Sequence, residues 1–273
     1  MPLLPTTTWG SGRRLVLCHG FTQTARSWGP FGEALGLHRS IVAVDLPGHG
    51  NASDFTGDLV NTAHALLDTV GDEPFDLLGY SMGARLSLIA AMMQPEQLGA
   101  LILIGGTPGI ASDQERLERR AADEVLAQEL DDADDADDAD DVGAFLDKWL
   151  AQPIFEGLTS ETAQRAERLR NTPQGLARSL RTMGTGTMQS AWGFLDVVAV
   201  PTLLLAGEED HKFTQIAHAM DQELVQSTVA VAPGVGHACH LQAPQACAQV
   251  VLHWLEVVHA SANPSARKPP TTS

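Results

Sequence analysis

Residues 75–83 read Phe75-Asp76-Leu77-Leu78-Gly79-Tyr80-Ser81-Met82-Gly83, and the reading of this stretch decides the fold. An apolar run ends in Gly79, Ser81 and Gly83 follow at a spacing of two, and a helix-like sequence occupies residues 84–93. This is the pattern of a strand-to-helix turn that forces one serine into a strained, exposed position. Glycines flank the serine because such a turn brings two backbones closer than a Cβ allows. The five-residue pattern alone is weak, since Gly and Ser recur together in ordinary turns. Its place between a β-like run and an amphipathic helix is what makes it a nucleophile elbow.

Outward from the elbow, short apolar runs at residues 13–18, 41–45, 100–104, 202–206 and 228–232 predict further strands. Helical patterns at 27–37, 56–70 and 242–259 lie between or after them. Short apolar strands alternating with helices predict an α/β fold, a mostly parallel sheet with helices on both faces. The rhythm breaks between residues 109 and 192, where the pattern is helical and polar and holds no convincing strand. An insertion of this kind between two strands is a helical cap over the strand ends, where ligands sit. The expected division is a core of residues 1–108 and 193–260, a cap of 109–192, and a tail of 261–273. Pro264, Pro269 and Pro270 mark that tail as disordered.

A chain of 273 residues with 44% apolar content is long enough for one such domain with an insertion. No run approaches the ~20 apolar residues of a membrane span. The start of the chain has no basic end followed by an apolar block, so no signal peptide is expected. Cys18, Cys239 and Cys247 are too scattered for a disulfide framework or a zinc site, which points to a cytoplasmic protein. A net charge of −17 argues against a nucleic-acid partner. Eight of the acids are aspartates at 131–141, and without them the charge would be −9. Their period-three pattern repels itself and reads as an exposed loop or a frayed helix inserted in the cap. It lacks the central Gly and closing Glu of an EF-hand calcium loop.

A serine hydroxyl becomes reactive when a histidine takes its proton and an acid orients that histidine. In α/β-hydrolases the chain order is serine, acid, histidine, with the last two in loops after late strands. Asp210 follows the run at 202–206, in Gly207-Glu208-Glu209-Asp210-His211-Lys212-Phe213, and His237 follows the run at 228–232. Ser81, Asp210 and His237 therefore form the expected catalytic triad. Glu208 and Glu209 are alternatives for the acid, and His240 is an alternative for the base or a supporting pocket residue. His19 and His49 sit in His-Gly turns and read more readily as hydrogen-bonding residues of their loops. The oxyanion hole of this fold uses the N–H after the serine and one from the loop after an early strand, which nominates Met82 and Phe21.

Of 17 basic residues, nine lie in the cap: Arg116, Arg119, Arg120, Lys148, Arg165, Arg168, Arg170, Arg178 and Arg181. Arg85 lies one turn into the helix behind Ser81. Most of these are expected to be solvated faces paired with acids. A substrate bearing several carboxylates would still need two or three arginines, because the planar guanidinium binds carboxylate bidentately. The expected partner is therefore a small anionic substrate, and at least two cap arginines are expected to face it.

The sequence resembles the α/β-hydrolase-fold synthases that make 2-succinyl-6-hydroxy-2,4-cyclohexadiene-1-carboxylate in menaquinone or phylloquinone biosynthesis. The residues that carry the resemblance begin with His19-Gly20-Phe21-Thr22 with Trp28, Asp45-Leu46-Pro47-Gly48-His49-Gly50, and the elbow followed by Arg85. They continue with Gly106-Thr107-Pro108-Gly109, residues 116–123, Arg170-Asn171, Met183-Gly184-Thr185-Gly186 leading to Trp192, residues 207–213, and Gly236-His237-Ala238-Cys239-His240. The Met-Gly-Thr-Gly stretch, Asp-x-Lys-Phe and the position of Arg85 discriminate best. The resemblance implies a lyase: the triad serine is a base, pyruvate is eliminated from 2-succinyl-5-enolpyruvyl-6-hydroxy-3-cyclohexene-1-carboxylate, and no cofactor or metal takes part. It further implies that Arg85, Arg119 and Arg170 hold substrate carboxylates, with Tyr80 and Trp149 lining the pocket. The chain departs from the family pattern at Ala84, where a second Gly is usual, and at Gln242, where an acid is common.

Three rival readings share some of these residues. A hydrolase of esters or carbon–carbon bonds would use the same triad but has no need of the three arginines. A non-catalytic receptor or scaffold of the same fold would be expected to lack a triad member. A metal enzyme would need ligands beyond His237 and His240 at suitable spacing. Composition leaves the protein a monomer or a small homo-oligomer.

Overall fold

The computed structural model describes residues 2–134 and 141–262. In the core, β1 (Thr6–Gly10), β2 (Arg14–Cys18), α1 (Gly29–Gly36), β3 (Ser40–Val44) and α2 (Leu59–Val70) lead to β4 (Phe75–Tyr80), which runs into the elbow. After it come α3 (Met82–Met92) and β5 (Leu98–Ile104). The cap follows with α4 (Asp113–Asp134), α5 (Asp141–Leu150), α6 (Arg165–Arg168) and α7 (Pro173–Met183). The chain returns to the core as β6 (Thr202–Gly207), α8 (His211–Glu223), β7 (Ser227–Ala232), α9 (Cys239–Gln242) and α10 (Pro244–Ala262).

The seven strands form one sheet in the order β1-β3-β2-β4-β5-β6-β7. β2 through β7 are parallel, and β1 pairs antiparallel with β3 at the edge. The sequence did not announce β1. Its Thr6-Thr7-Thr8-Trp9-Gly10 is half exposed and carries one large apolar side chain, Trp9, whose indole N–H donates to Gly32 O at 3.0 Å. Side chains of the central strands alternate between two apolar layers. Val16 and Cys18 face one with α2, α3 and α8, while Leu15 and Leu17 face the other with α1 and α10. The winding direction reverses between β2 and β4, so their C-terminal ends open a crevice, the usual ligand position in such sheets.

The predicted closing helix at 242–259 is two helices, α9 and α10, and the latter extends into the region read as tail. Residues 263–273, with the three prolines, lie outside the described residues, as do 135–140 of the aspartate tract. Residues 131–134 continue α4 rather than forming a loop. The cap holds its own small apolar cluster, Ala127, Leu130, Val142, Phe145, Leu146, Leu176, Ala177 and Leu180, against which Phe21 of the core and Trp149 pack. Among the described residues no helix is long and apolar enough to cross a membrane.

Candidate active site

β4 ends at Tyr80, and Ser81 takes φ +51° and ψ −106°, a conformation that a residue with a Cβ rarely adopts. The turn is held by Ser81 N–H donating to Ile104 O at 2.9 Å, and α3 begins at once behind it. A Cβ at Gly83 would lie 2.0 Å from Cys18 O, and one at Gly79 would lie 2.3 Å from Gly83 O. Both glycines are thus required by close approach of backbones. Ala84, the departure from the family pattern, is buried inside α3 without disturbing this turn.

His237 Nε2 is 3.1 Å from Ser81 Oγ, and its Nδ1 is 2.7 Å from Asp210 Oδ2. A carboxylate only accepts, so Nδ1 carries the proton and the Nε2 lone pair faces the serine hydroxyl. Asp210 also caps α8, its Oδ1 accepting from Phe213 N–H at 3.3 Å. Glu208 and Glu209 are exposed, and Glu208 instead accepts from Gly234 N–H at 2.9 Å. The imidazole lies between the rings of Phe213 and Tyr80, with centroids at 4.4 and 5.4 Å. His240 is fully buried among Trp28, Phe31 and Tyr80, away from the serine, and burial lowers its pKa to about 3. Gln242, where the family has an acid, accepts from Gly236 N–H at 2.7 Å and donates to Glu156 O of the cap at 2.8 Å. A carboxylate could not make the second bond.

The loop after β2 is fixed group by group. Gly20 O accepts from His19 Nδ1 at 2.8 Å and from Gln23 N–H at 3.1 Å, and Gly20 N–H donates to Gln23 Oε1 at 2.9 Å. Thr22 N–H donates to His49 Nε2 at 3.1 Å, and Leu46 N–H donates to His19 Nε2 at 3.1 Å. Both histidines are buried and neutral: desolvation lowers His19 to about 4 and His49 to about 3. They are therefore hydrogen-bonding pins of the loop. Among the described residues the Phe21 N–H makes no hydrogen bond, and Met82 N–H is a first-turn amide of α3 with no helical partner. Each amide remains available to an oxyanion.

Ser81 opens into a small, partly open pocket of about 70 Å³, lined by Phe21, Met82, Arg85, Arg119, Trp149, Ser179 and the segment 183–185 among others. Arg85 is 6% exposed and donates to Met183 O at 2.8 Å. Desolvation, then repulsion from Arg119, pulls its pKa down to about 10, so it stays a cation at neutral pH. Arg119 Nε donates to buried Asp123 Oδ1 at 2.8 Å, which holds the guanidinium in place on the cavity wall. Trp149 meets Phe21 edge-on at 5.0 Å.

Two residues assigned to the pocket by resemblance lie elsewhere. Tyr80 is 2% exposed behind the triad, in the apolar layer with Leu78, because the end of β4 turns its side chain to that face of the sheet. The Arg170 side chain is 52% exposed, is 3.6 Å from Glu167, and lines a separate polar pocket with Arg26, Asp45 and Asn51. Two residues earlier, Arg168 is the one that points inward. It is 1% exposed, and its Nη1 donates to Phe21 O at 3.2 Å. Of the nine cap cations only Arg119 lines the Ser81 cavity. Arg116, Lys148, Arg165, Arg178 and Arg181 are engaged with carboxylates, those of Asp113, Glu129, Asp147, Asp54 and Glu124 among them. Arg168 and the adjacent Asn171 escaped sequence reasoning as site residues, although Arg170-Asn171 belongs to the family pattern. Among the described residues no group of three or more His, Cys, Asp or Glu could hold a metal ion.

Residues 15–250 match the model of the alpha/beta hydrolase family. A Bacillus subtilis protein provisionally named 2-succinyl-6-hydroxy-2,4-cyclohexadiene-1-carboxylate synthase is 34% identical, over 88% of this chain and 89% of its own. A Salmonella paratyphi B protein with the same name is 32% identical, over 84% of this chain and 88% of its own. The chain belongs to this synthase family. The solved structure of MenH from S. aureus superposes with a TM-score of 0.84 at 31% identity, over 95% of this chain and 100% of that one. A thermophilic esterase from Thermogutta terrifontis superposes at 0.77 with 23% identity, over 94% of both chains, a likeness of fold alone.

Proposed function

We propose that this chain eliminates pyruvate from 2-succinyl-5-enolpyruvyl-6-hydroxy-3-cyclohexene-1-carboxylate to give 2-succinyl-6-hydroxy-2,4-cyclohexadiene-1-carboxylate. The observation that carries the reading, beside family membership, is that Ser81 shares one small pocket with two cations, Arg85 and Arg119. The substrate has three carboxylates, and a site for neutral esters would gain nothing from burying Arg85 at that position.

The difference between substrate and product fixes the bonds. The proton on ring C2 lies next to the succinyl ketone, and its removal generates an enolate. Ser81 Oγ takes that proton while its own passes to His237 Nε2, and Asp210 stabilises the imidazolium. The enolate oxygen falls to the N–H groups of Phe21 and Met82, donors whose orientation is set before the charge appears. Collapse of the enolate forms C2=C3, shifts the ring double bond to C4=C5 and breaks the C5–O bond. Enolpyruvate departs, takes up the proton held by His237 and becomes pyruvate. No water is consumed and no acyl-enzyme forms. Arg85 and Arg119 hold substrate carboxylates so that C2 faces the serine, while Trp149 and Phe21 supply the apolar wall.

Purified protein is expected to release one pyruvate per diene formed, followed by coupled pyruvate detection and diene absorbance. Efficient hydrolysis of p-nitrophenyl esters, with the cyclohexene precursor left untouched, would establish a hydrolase instead.

A further inference from the structure

We propose that the cap completes the oxyanion hole, with Arg168 and Asn171 acting as positioning residues on the loop that carries Phe21. The inference rests on the elimination proposed above only for what the hole stabilises.

Arg168 ends the single turn of α6, and Asn171 follows three residues later. From there they reach across about half the chain. Arg168 Nη1 donates to Phe21 O at 3.2 Å and also to Thr22 Oγ1, while its Nε is anchored on Ala163 O at 2.7 Å. Asn171 is 5% exposed; its Nδ2 donates to Thr22 O at 2.6 Å, and its Oδ1 accepts from Gly50 N–H at 2.9 Å. Among the described residues no carboxylate pairs with Arg168, and its Nη2 has no partner. Burying an unpaired guanidinium is expensive even after local hydrogen bonding. Its hydrogen-bond partners outside α6 and the preceding turn, Phe21 O and Thr22 Oγ1, are both on the oxyanion loop, which makes that loop the structural reason for its place.

The loop needs external support. Thr22 has φ +68°, a strained value for a β-branched residue, on the order of 1–3 kcal/mol. Peptide groups are planar, so the aim of the Phe21 N–H is set by the peptide planes on either side of Phe21. The core holds the plane before Phe21, through His19 and Gln23 on Gly20 O. The plane after it is divided between core and cap: Thr22 N–H lies on His49, and Phe21 O lies under Arg168. Asn171 then fixes the next carbonyl. The Phe21 side chain packs on the cap as well, with ring centroids 6.4 Å from Phe145 and 5.0 Å from Trp149. The one amide of residues 20–22 that points at no protein group is the donor that the chemistry requires.

With the cap seated, the cavity of about 70 Å³ is far below the roughly 300 Å³ at which ligand pockets begin. Admission of a substrate with three carboxylates therefore shifts the cap, and a shift at α6 withdraws Arg168 and Asn171 from the loop. Reseating over bound substrate restores both contacts, so the hole is whole whenever the cap is seated.

The test uses the full chain with Arg168→Gln and Asn171→Asp. The second substitution keeps size and the acceptor for Gly50 N–H but puts an oxygen where the donor to Thr22 O stood. Expected are a kcat lower by about 10–100-fold with KM within about threefold, and faster amide exchange confined to residues 19–24 with the β4 peptide unchanged. A raised KM with kcat retained would assign both residues to substrate affinity and overturn the proposal, as would unchanged exchange and unchanged kcat. Should Arg168→Gln not fold, Asn171→Asp and Thr22→Val, which removes the hydroxyl that Arg168 contacts, carry the same readouts. Wild-type protein that releases no pyruvate removes the elimination reading; exchange at 19–24 then decides the clamp by itself.

Discussion

The core and the cap furnish the same cavity by opposite means. In the core most groups are placed by backbone: Ser81 by a strained turn, Met82 N–H by the start of α3 and Asp210 at the start of α8, while the loop of Phe21 is pinned by side chains, His19 and His49 from the core and Arg168 and Asn171 from the cap. In the cap they are placed by long side chains on helices and the turns after them, where a step of one or two residues changes the direction faced. Arg168 and Arg170 show the consequence. One is buried on the loop after β2 and the other is half exposed over a different pocket. Backbone-placed chemistry survives translation from motif to structure, whereas side-chain-placed chemistry depends on the rotation of each helix.

The most forceful way to break this contrast is at the elbow. Ser81→Ala is expected to lower kcat by about 10³–10⁴-fold with the melting temperature retained, since the triad acts as a unit. Retention of a tenth of the activity would remove Ser81 as the base.

Acid titration tests the buried histidines of the core. His19, His49 and His240 are buried and neutral, with pKa values near 4, 3 and 3 against about 6.5 when unfolded. Below pH 6.5 the unfolded chain binds more protons, so stability is fully present above that pH and is lost as pH falls toward 4 and then 3. The slope reaches about 1.4 kcal/mol per pH unit for each histidine. Urea midpoints that stay level between pH 6.5 and 4.5 would contradict it, and His49→Gln, which keeps an acceptor without titrating, should flatten the slope.

On the cap side, Arg119→Ala is expected to raise KM by about 10–100-fold with a smaller effect on kcat, the value of one charge-assisted bond to a carboxylate. Saturation at wild-type substrate concentrations would take Arg119 off the substrate. The smallest effect sharpens the comparison most. Arg170→Ala is expected to change kcat and KM by less than about twofold, because its side chain faces solvent and Glu167. A tenfold rise in KM would place Arg170 on the substrate and would mean that the turn after α6 moves when the cap closes.

Much of the fold was legible because it is written in short-range patterns. Apolar runs of strand length marked six of the seven strands, and the glycines around Ser81 announced a turn that tolerates no Cβ at either flank. β1 escaped because an edge strand needs only one face against the core, and Trp9 alone supplies it. Within the site, the order Ser81, Asp210, His237 was readable because each follows a strand. Their separations of 3.1 and 2.7 Å arise because parallel strands end at one edge of the sheet and the loops after β6 and β7 reach back to the end of β4. Tyr80 was misplaced because alternation along β4 puts it on the same face as Leu78, away from the Ser81 pocket. Arg168 was passed over because nothing local distinguishes it from the ion-paired cations around it.

The amino-acid sequence by itself therefore determined the sheet, the elbow, the order of the triad residues and the family, all consequences of local periodicity and of backbone conformations that few residues can adopt. Tertiary structure alone decided which arginines meet the cavity, which amide of the early loop is left free, and that the cap reaches that loop through Arg168 and Asn171. Those outcomes depend on contacts between residues up to 149 positions apart. Helical periodicity limits such contacts to a face of the cap, and only packing against the core selects the face.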